Sequence, residues 1–419
     1  MTEPIKRIEV DASTLQHSIE VLGAIGQRPE GGIVRPVYSP AWVEAHEQLA
    51  TFMHAAGLDV REDAMGNLFG RLHGSDESHT ILTGSHFDTV PLGGKFDGAL
   101  GILAGIVALQ ALGENLGKPQ RSLEVVAFCE EEGSRFPAHC WGTKGILGLI
   151  DPAELDEVRD AQGIPIAEAM RAVGLAPERY REAMRTDLVA FFELHIEQGR
   201  ILFDKGIDLG IVTAITGLQH LWITVKGQAD HAGTTPMDVR HDALQGAAHM
   251  AVEVTHLVEQ AERPAVVTLG TWDVKPGAVN VIPGEVSFSV DVRHPEEETL
   301  DRLSAAIRAQ CEAIAHERHL SISIEITGMS LPSKMDPGLQ AELVKAAEAC
   351  GASWKWLPSG AGHDSQIMAR HIPTAMLFVP SVAGRSHSSA EYTTAEYTTA
   401  EDATRGASVL ATALSLLAY

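Results

Sequence analysis

The sequence is 419 residues long, 45% hydrophobic and 21% charged, with a formal net charge of -24, a length beyond one ordinary hydrophobic core and a composition that excludes a disordered or fibrous chain. The negative charge argues against nucleic acid or an anionic membrane surface as a partner, because the long-range field repels both, while leaving room for a small anion at a locally positive site. Cys129, Cys140, Cys311 and Cys350 contain no CxxC pair and make neither a disulfide framework nor a structural zinc site, so a reducing cytoplasm is the expected location.

In chain order, MTEPIKRIEVDAS lacks the apolar centre of a signal peptide, and no run is read as long enough to cross a bilayer. Residues 14–27 and 41–57 have helical apolar spacing behind candidate caps Ser13 and Ser39. Strands are expected at 67–72 and 79–87, a helix buried on several sides at 97–112, and a strand at 122–132 that ends in acids. A polar helical stretch, 151–186, leads to a strand at 188–199. The pattern then changes to strands at 218–227, 265–274, 285–294 and 320–327 around helices at about 237–262 and 296–317. Strand and helix alternate again after about 330, and the chain ends in an apolar helix, 401–417. The expected fold is α/β, a mixed, mostly parallel sheet with helices on both faces, interrupted by an inserted α+β domain with a four-stranded antiparallel sheet. The expected layout is 1–214 for the first part of the main domain, 215–329 for the insert and 330–419 for the second part. A short tandem repeat, AEYTT at 390–394 and 395–399, reads as a duplication that lengthens a loop.

Parallel sheets place ligands at the carboxyl ends of their strands, and the chemistry-bearing residues gather there. His86 and Asp88 lie two apart at the end of a strand, so one can bind a metal while the other orients it, or the two can serve different groups. Asp97 follows a Gly-rich turn and opens a helix, where a carboxylate can bridge two cations. EEEGSRF (130–136) stacks three acids at a strand end, which repel one another unless a metal or Arg135 compensates them. HIEQG (195–199) and RSHSSAEY (385–392) add His195 and His387. Each histidine alone reads as a surface or structural residue; the set of His86, Asp97, Glu132, His195 and His387 is the ligand chemistry of two divalent ions.

EEGSRF, GTKG (142–145), LHIEQG, HAGTTPM (231–237), VNVIPG (279–284), SGAGHDS (359–365) and SHSSAEY together resemble the hydantoinase/carbamoylase amidase branch of the dinuclear metallopeptidase-like M20 superfamily, from about residue 15 onward. The resemblance implies a zinc-peptidase-like main domain and two divalent ions, Zn2+, Mn2+ or Co2+. His86 and His195 would hold one, Glu132 and His387 the other, and Asp97 would bridge them. It implies Glu131 as general base, with Glu130 outside the site, and Asp88 steering His86. His231 would stabilise the oxyanion, reaching across a homodimer formed by the insert as a dimerisation or lid domain. Asn280 and Arg293 match positions that bind substrate, and Arg293 offers the fork geometry suited to a carboxylate. Gln198 and His363 are further candidates for the pocket, and Gly360, Ala361 and Gly362 could let backbone amides approach an anion. Ser389 stands where the pattern has proline, and the AEYTT repeat leaves open whether Glu391 or Glu396 takes the usual acidic position.

The activity implied is hydrolysis of the ureido bond of a small anionic N-carbamoyl-L-amino acid, releasing the amino acid, ammonia and carbon dioxide. Allantoate amidohydrolase and β-ureidopropionase need the same parts. Leu218, where the allantoate enzymes tend to carry glutamine, tilts the reading toward an apolar side-chain pocket. A dipeptidase or aminopeptidase fits less well because His195 stands where many of those use an acid. A non-catalytic binding protein is disfavoured by the complete set of ligands and base.

Overall fold

The computed structural model describes residues 5–29, 31–382 and 398–419. Its strands are β1 (Asp59–Glu62), β2 (Leu68–Leu72), β3 (Asp76–His86), β4 (Arg121–Phe128), β5 (Leu188–Ile196), β6 (Leu209–Ile215), β7 (Gly217–Lys226), β8 (Asp230–His231), β9 (Val266–Lys275), β10 (Val281–Ile282), β11 (Glu285–His294), β12 (Ser321–Ser330), β13 (Ser333–Lys334), β14 (Trp354–Ser359) and β15 (Thr374–Val379). The chain divides into two compact units, Met1–Thr213 with Met335–Tyr419, and Ala214–Lys334.

In the larger unit the strands run β1-β2-β4-β3-β5-β15-β6, with β14 also on β6. The centre, β4-β3-β5-β15, is parallel, and antiparallel pairs flank it on both sides. The expected mixed α/β sheet is present, with its parallel part confined to the strands that carry the ligand-bearing ends. Alternation along those strands explains why helices cover both faces. Ile81, Val125, Phe192 and Leu194 pack with helices Ala12–Ala24, Ala99–Leu116 and Ala400–Ala418. Their neighbours Leu82, Val126 and Phe191 pack with Ile146 and Met368 from two short helices on the opposite side.

Helix Ala99–Leu116 is buried along most of its length, and by length and composition it could cross a membrane, which the reading from sequence did not register. Its apolarity is accounted for by burial, with Gly101 and Gly105 allowing a close approach: a methyl group at Gly101 would sit 2.4 Å from the Leu194 carbonyl. Other differences are local. The first helix is capped by Asp11, whose carboxylate accepts the N–H groups of Ser13 and Thr14, rather than by Ser13; Ser39 caps the second as expected. The stretch 151–186 breaks into helices Glu154–Glu157 and Ile166–Ala172 and a 3-10 turn, Pro177–Ala183, at Pro and Gly positions.

The smaller unit is an antiparallel sheet in the order β12-β7-β11-β9. Leu221, Ile223 and Val225 of β7 and Val286, Val290 and Val292 of β11 form its core with helices Ala243–Glu259 and Glu297–Glu317. The first of these helices starts at Ala243 rather than near 237, because Asp242 caps it and Pro236–Val239 forms a separate turn.

Candidate metal centre

The site of the larger unit lies where β3, β4 and β5 end. Phe191, Glu193 and His195 alternate onto one face of β5, so the strand delivers an imidazole at its tip with a carboxylate beneath it. His195 is 1% exposed; its Nδ1 faces the Ile196 carbonyl at 3.0 Å, and Nε2 accepts the Gly98 N–H at 3.1 Å. Nε2 also lies 3.1 Å from Asp97 Oδ1, which is 3.5 Å from Nε2 of His86 at the end of β3. Gly98 sets this convergence. Its φ of 62° and ψ of -51°, with the Ala99 N–H bonded to the Asp97 carbonyl at 2.6 Å, form a γ-turn of the strained kind that turns the Asp97 carboxylate toward both imidazoles.

Asp88 links the two acids after β4 to the same cluster. Its carboxylate accepts the N–H groups of Glu131 at 2.9 Å and Glu132 at 3.2 Å, and Oδ1 is 3.3 Å from His86 Nδ1. Ligand atoms fall within 4.8 Å of one another in three buried or half-buried sets: His86 with Asp97 and His195, His86 with Glu131 and Glu132, and His195 with Glu193 and His363.

A family description, Peptidase family M20/M25/M40, matches residues 82–416. The chain belongs to this family. It is 38% identical over 406 residues to the allantoate amidohydrolase of Escherichia coli (strain K12), covering 97% of this chain and 98% of that one. It is 41% identical over 394 residues to the N-carbamoyl-L-amino acid amidohydrolase of Geobacillus stearothermophilus, covering 92% and 94%. The crystal structure of a hydantoinase/carbamoylase family amidase from Burkholderia ambifaria superposes with a TM-score of 0.92 at 34% identity, covering 99% of both chains. M20 enzymes work with a pair of metal ions, and the residues present here fit such a pair. Imidazole nitrogens and carboxylate oxygens are borderline and hard donors suited to divalent ions.

The electrostatics agree with that fit. Burial pulls the His86 imidazole down, yet Asp88 and Asp97 hold it well above its ordinary value; His195 is raised in the same way by Asp97. Burial, then Asp97 and Glu131, push the Glu132 carboxyl up to about 10, and Glu131 is raised by burial and by Asp88 and Asp97 against the pull of His86. Carboxylates crowded out of water this way hold protons unless cations replace them. Glu130 is fully buried, and neither of its carboxylate oxygens has a hydrogen-bond partner among the described residues.

Other expected residues are placed as follows. Gln198 Nε2 donates to Asp97 Oδ2 at 3.2 Å from a left-handed backbone, φ 56°. His363 is buried under His195, the ring centroids 4.4 Å apart, with Nε2 3.0 Å from Ser359 Oγ, which also accepts the Ala361 N–H. A methyl group at Gly362 would come within 3.9 Å of Glu131 Oε1. His387, Ser389, Glu391 and Glu396 lie outside the described residues. In the smaller unit, β8 pairs with β10 so that His231 stands opposite Val281, and the Ala232 N–H donates to the carbonyl of exposed Asn280. Arg293 is held by a two-pronged contact, Nε to Asp291 Oδ1 at 2.9 Å and Nη2 to Oδ2 at 2.8 Å.

Reading the sequence missed Glu193. Its carboxylate accepts Ser85 Oγ at 2.7 Å and the N–H and Oγ of Ser365 at 3.0 and 2.6 Å, so its oxygens are engaged and it acts as a strut behind His195. The signal was available in AFFELHI, an acid two residues before a strand-end histidine. Cys140, read from the sequence only as one of four cysteines without a CxxC pair, has its Sγ 3.7 Å from Glu131 Oε1.

Proposed function

We propose that this chain hydrolyses the ureido C–N bond of a small N-carbamoyl-L-amino acid in the cytoplasm, as a homodimeric, dinuclear-metal amidohydrolase. The observation that carries the reading is that His86 is shared between two ligand sets, one with Asp97 and His195, the other with Glu131 and Glu132. His86, His195, Asp97, Glu132 and His387 would hold two divalent ions, Zn2+, Mn2+ or Co2+. When bound, such a pair supplies Lewis acidity for the carbonyl oxygen and for an attacking water. Glu131 takes a proton from that water as its oxygen adds to the ureido carbon. The same carboxyl then returns the proton to the amino nitrogen as the C–N bond breaks, releasing the amino acid and carbamate, which decomposes to ammonia and carbon dioxide. Asp88 holds His86 and the 131–132 backbone for this work.

The insert, 215–329, acts in this reading as the dimerisation and lid domain. His231 stabilises the oxyanion from the partner subunit, a contribution of about 3 kcal/mol to the barrier for a donor at developing charge. Arg293 and Asn280 bind the substrate carboxylate, with Gln198, Gly362 and His363 lining the pocket or supporting it. The register supports an apolar neighbour for that carboxylate: Arg293 stands directly opposite Leu218 on one side and Val266 on the other. A second ureido group would find no partner in either. That favours a carbamoyl amino acid over allantoate, the substrate in the name of another relative of similar identity.

Ammonia release from a panel of N-carbamoyl-L-amino acids, N-carbamoyl-β-alanine, allantoate and dipeptides, each with zinc, manganese or chelator, tests the proposal. The expected result is metal-dependent turnover that is fastest on N-carbamoyl-L-amino acids. Turnover of dipeptides with none of the ureido compounds would overturn it.

A further inference from the structure

Arg35 is 1% exposed, and a guanidinium cannot shed its charge, so full burial demands close partners. Its hydrogen bonds go to carbonyl oxygens. Nε donates to Phe87 O at 2.5 Å, and Nη1 to Leu22 O at 3.1 Å and Ile25 O at 3.4 Å. The last two lie at the carboxyl end of helix Ala12–Ala24, where the helix dipole favours a cation. Its backbone is tied in as well: Arg35 N–H donates to Thr89 Oγ1 at 3.0 Å, Thr89 N–H to Arg35 O at 3.2 Å, and Thr89 Oγ1 to Ile33 O at 3.3 Å. Segment 33–35 therefore runs beside 87–89.

Phe87 is the residue between His86 and Asp88. The carbonyl that Arg35 grips belongs to the peptide linking the imidazole to the carboxylate that orients it, and Asp88 in turn holds the N–H groups of Glu131 and Glu132. Asp88 is also the charge that acts on Arg35: burial draws the guanidinium down to about 10, and Asp88 opposes that fall. A rotation of the Phe87 peptide would disturb the His86–Asp88 arm, and one buried cation, hydrogen-bonded to the carboxyl end of the opening helix, resists it.

We propose that Arg35 is a positioning residue of the metal centre, holding the His86–Asp88 arm in the geometry that grips the ion between His86, Asp97 and His195. This rests on the two-metal reading above. Support of this kind around a metal ligand is typically worth ~10 to 100-fold in affinity.

Zinc titration of chelator-stripped protein against a chelating dye, with thermal unfolding of the same samples, tests it on wild type, Arg35→Lys and Thr89→Val. Lysine keeps the charge without the fork, and valine removes the hydroxyl at nearly constant volume. The expected result is that Arg35→Lys weakens one of the two ions ~10 to 100-fold and leaves the other within ~3-fold, and that Thr89→Val weakens the same ion less. Folded variants with both affinities unchanged, or with both weakened in step with the loss of thermal stability, overturn the proposal. If Arg35→Lys does not fold, Thr89→Val decides by the same criteria. A wild type that takes up no zinc removes the two-metal reading, and this inference with it.

Discussion

Gly98→Ala perturbs the turn on which the cluster depends. A side chain at φ 62°, ψ -51° occupies a backbone region that costs about 1–3 kcal/mol for an L-residue. The added methyl would also lie 2.4 Å from the His86 carbonyl oxygen and 2.6 Å from His86 Nε2, a collision with groups that are themselves packed, for about 1–3 kcal/mol more. If the turn holds, the two costs lower the melting temperature by roughly 3–10 °C for a unit of this size. If instead the turn opens to relieve the clash, the Ala99-to-Asp97 hydrogen bond is lost and Asp97 swings away from both imidazoles, so stability recovers at the expense of metal affinity. Either route separates Gly98→Ala from Gly57→Ala, whose glycine also has positive φ, 75°, but nothing within 4 Å of the added methyl. Thermal unfolding and zinc competition on the two variants are the assays. Gly98→Ala should lose at least ~10-fold in zinc affinity, as ligand misplacement does, while Gly57→Ala pays only the backbone cost. Indistinguishable melting temperatures and zinc affinities for the two would refute the argument that Gly98 shapes the cluster.

Glu131→Gln should retain both ions and bind substrate yet lower kcat by at least ~100-fold, measured by steady-state ammonia release; near-normal turnover removes Glu131 as the base. Arg293→Lys should raise KM for a carboxylate substrate by ~10-fold or more with kcat less affected, because lysine cannot offer the fork, and an unchanged KM would count against the carboxylate role. Asp187 lies away from the site: burial alone would raise its carboxyl, but hydrogen bonds from Arg185 and Thr80 bring it down to about 2. A depressed carboxylate stabilises the fold above its unfolded pKa and loses that contribution as pH falls toward the folded value. Asp187→Asn should therefore cost about 1–2 kcal/mol near neutral pH, discounted for partial exposure. Urea midpoints of mutant and wild type should converge as pH drops from about 5 toward 2; a gap that widens on acidification would contradict the sign.

The periodic parts of the fold were legible because burial writes them directly. The strand and helix expected at 122–132 and 97–112, found at Arg121–Phe128 and Ala99–Leu116, are apolar on several sides since both lie inside the larger unit, and the alternation in SFSVDVR reports a sheet with one covered face. Short pieces such as β1 and β14 were not, since four to six residues of mixed burial carry no period. The ligand set was legible as residue types at strand ends, while the way Asp97 meets two imidazoles was not, because it depends on a turn whose only trace is the Gly after FD. Glu193 and Arg35 hid for a related reason: one is a charged residue inside a strand and the other in the loop between the first two helices, and only three-dimensional neighbours reveal what satisfies either.

The position of β15 carries a consequence for synthesis of the chain. It occupies the slot between β5 and β6 although it is translated some 160 residues after them, and the last helix supplies Thr412 and Ser408 to the N–H groups of Ile8 and Val10. A ribosome-bound intermediate can complete the contiguous insert, with its own core, while the larger unit waits with a gap in its sheet. Metal loading should then wait until β15 is translated, and a chain stopped before it should neither close that gap nor retain zinc.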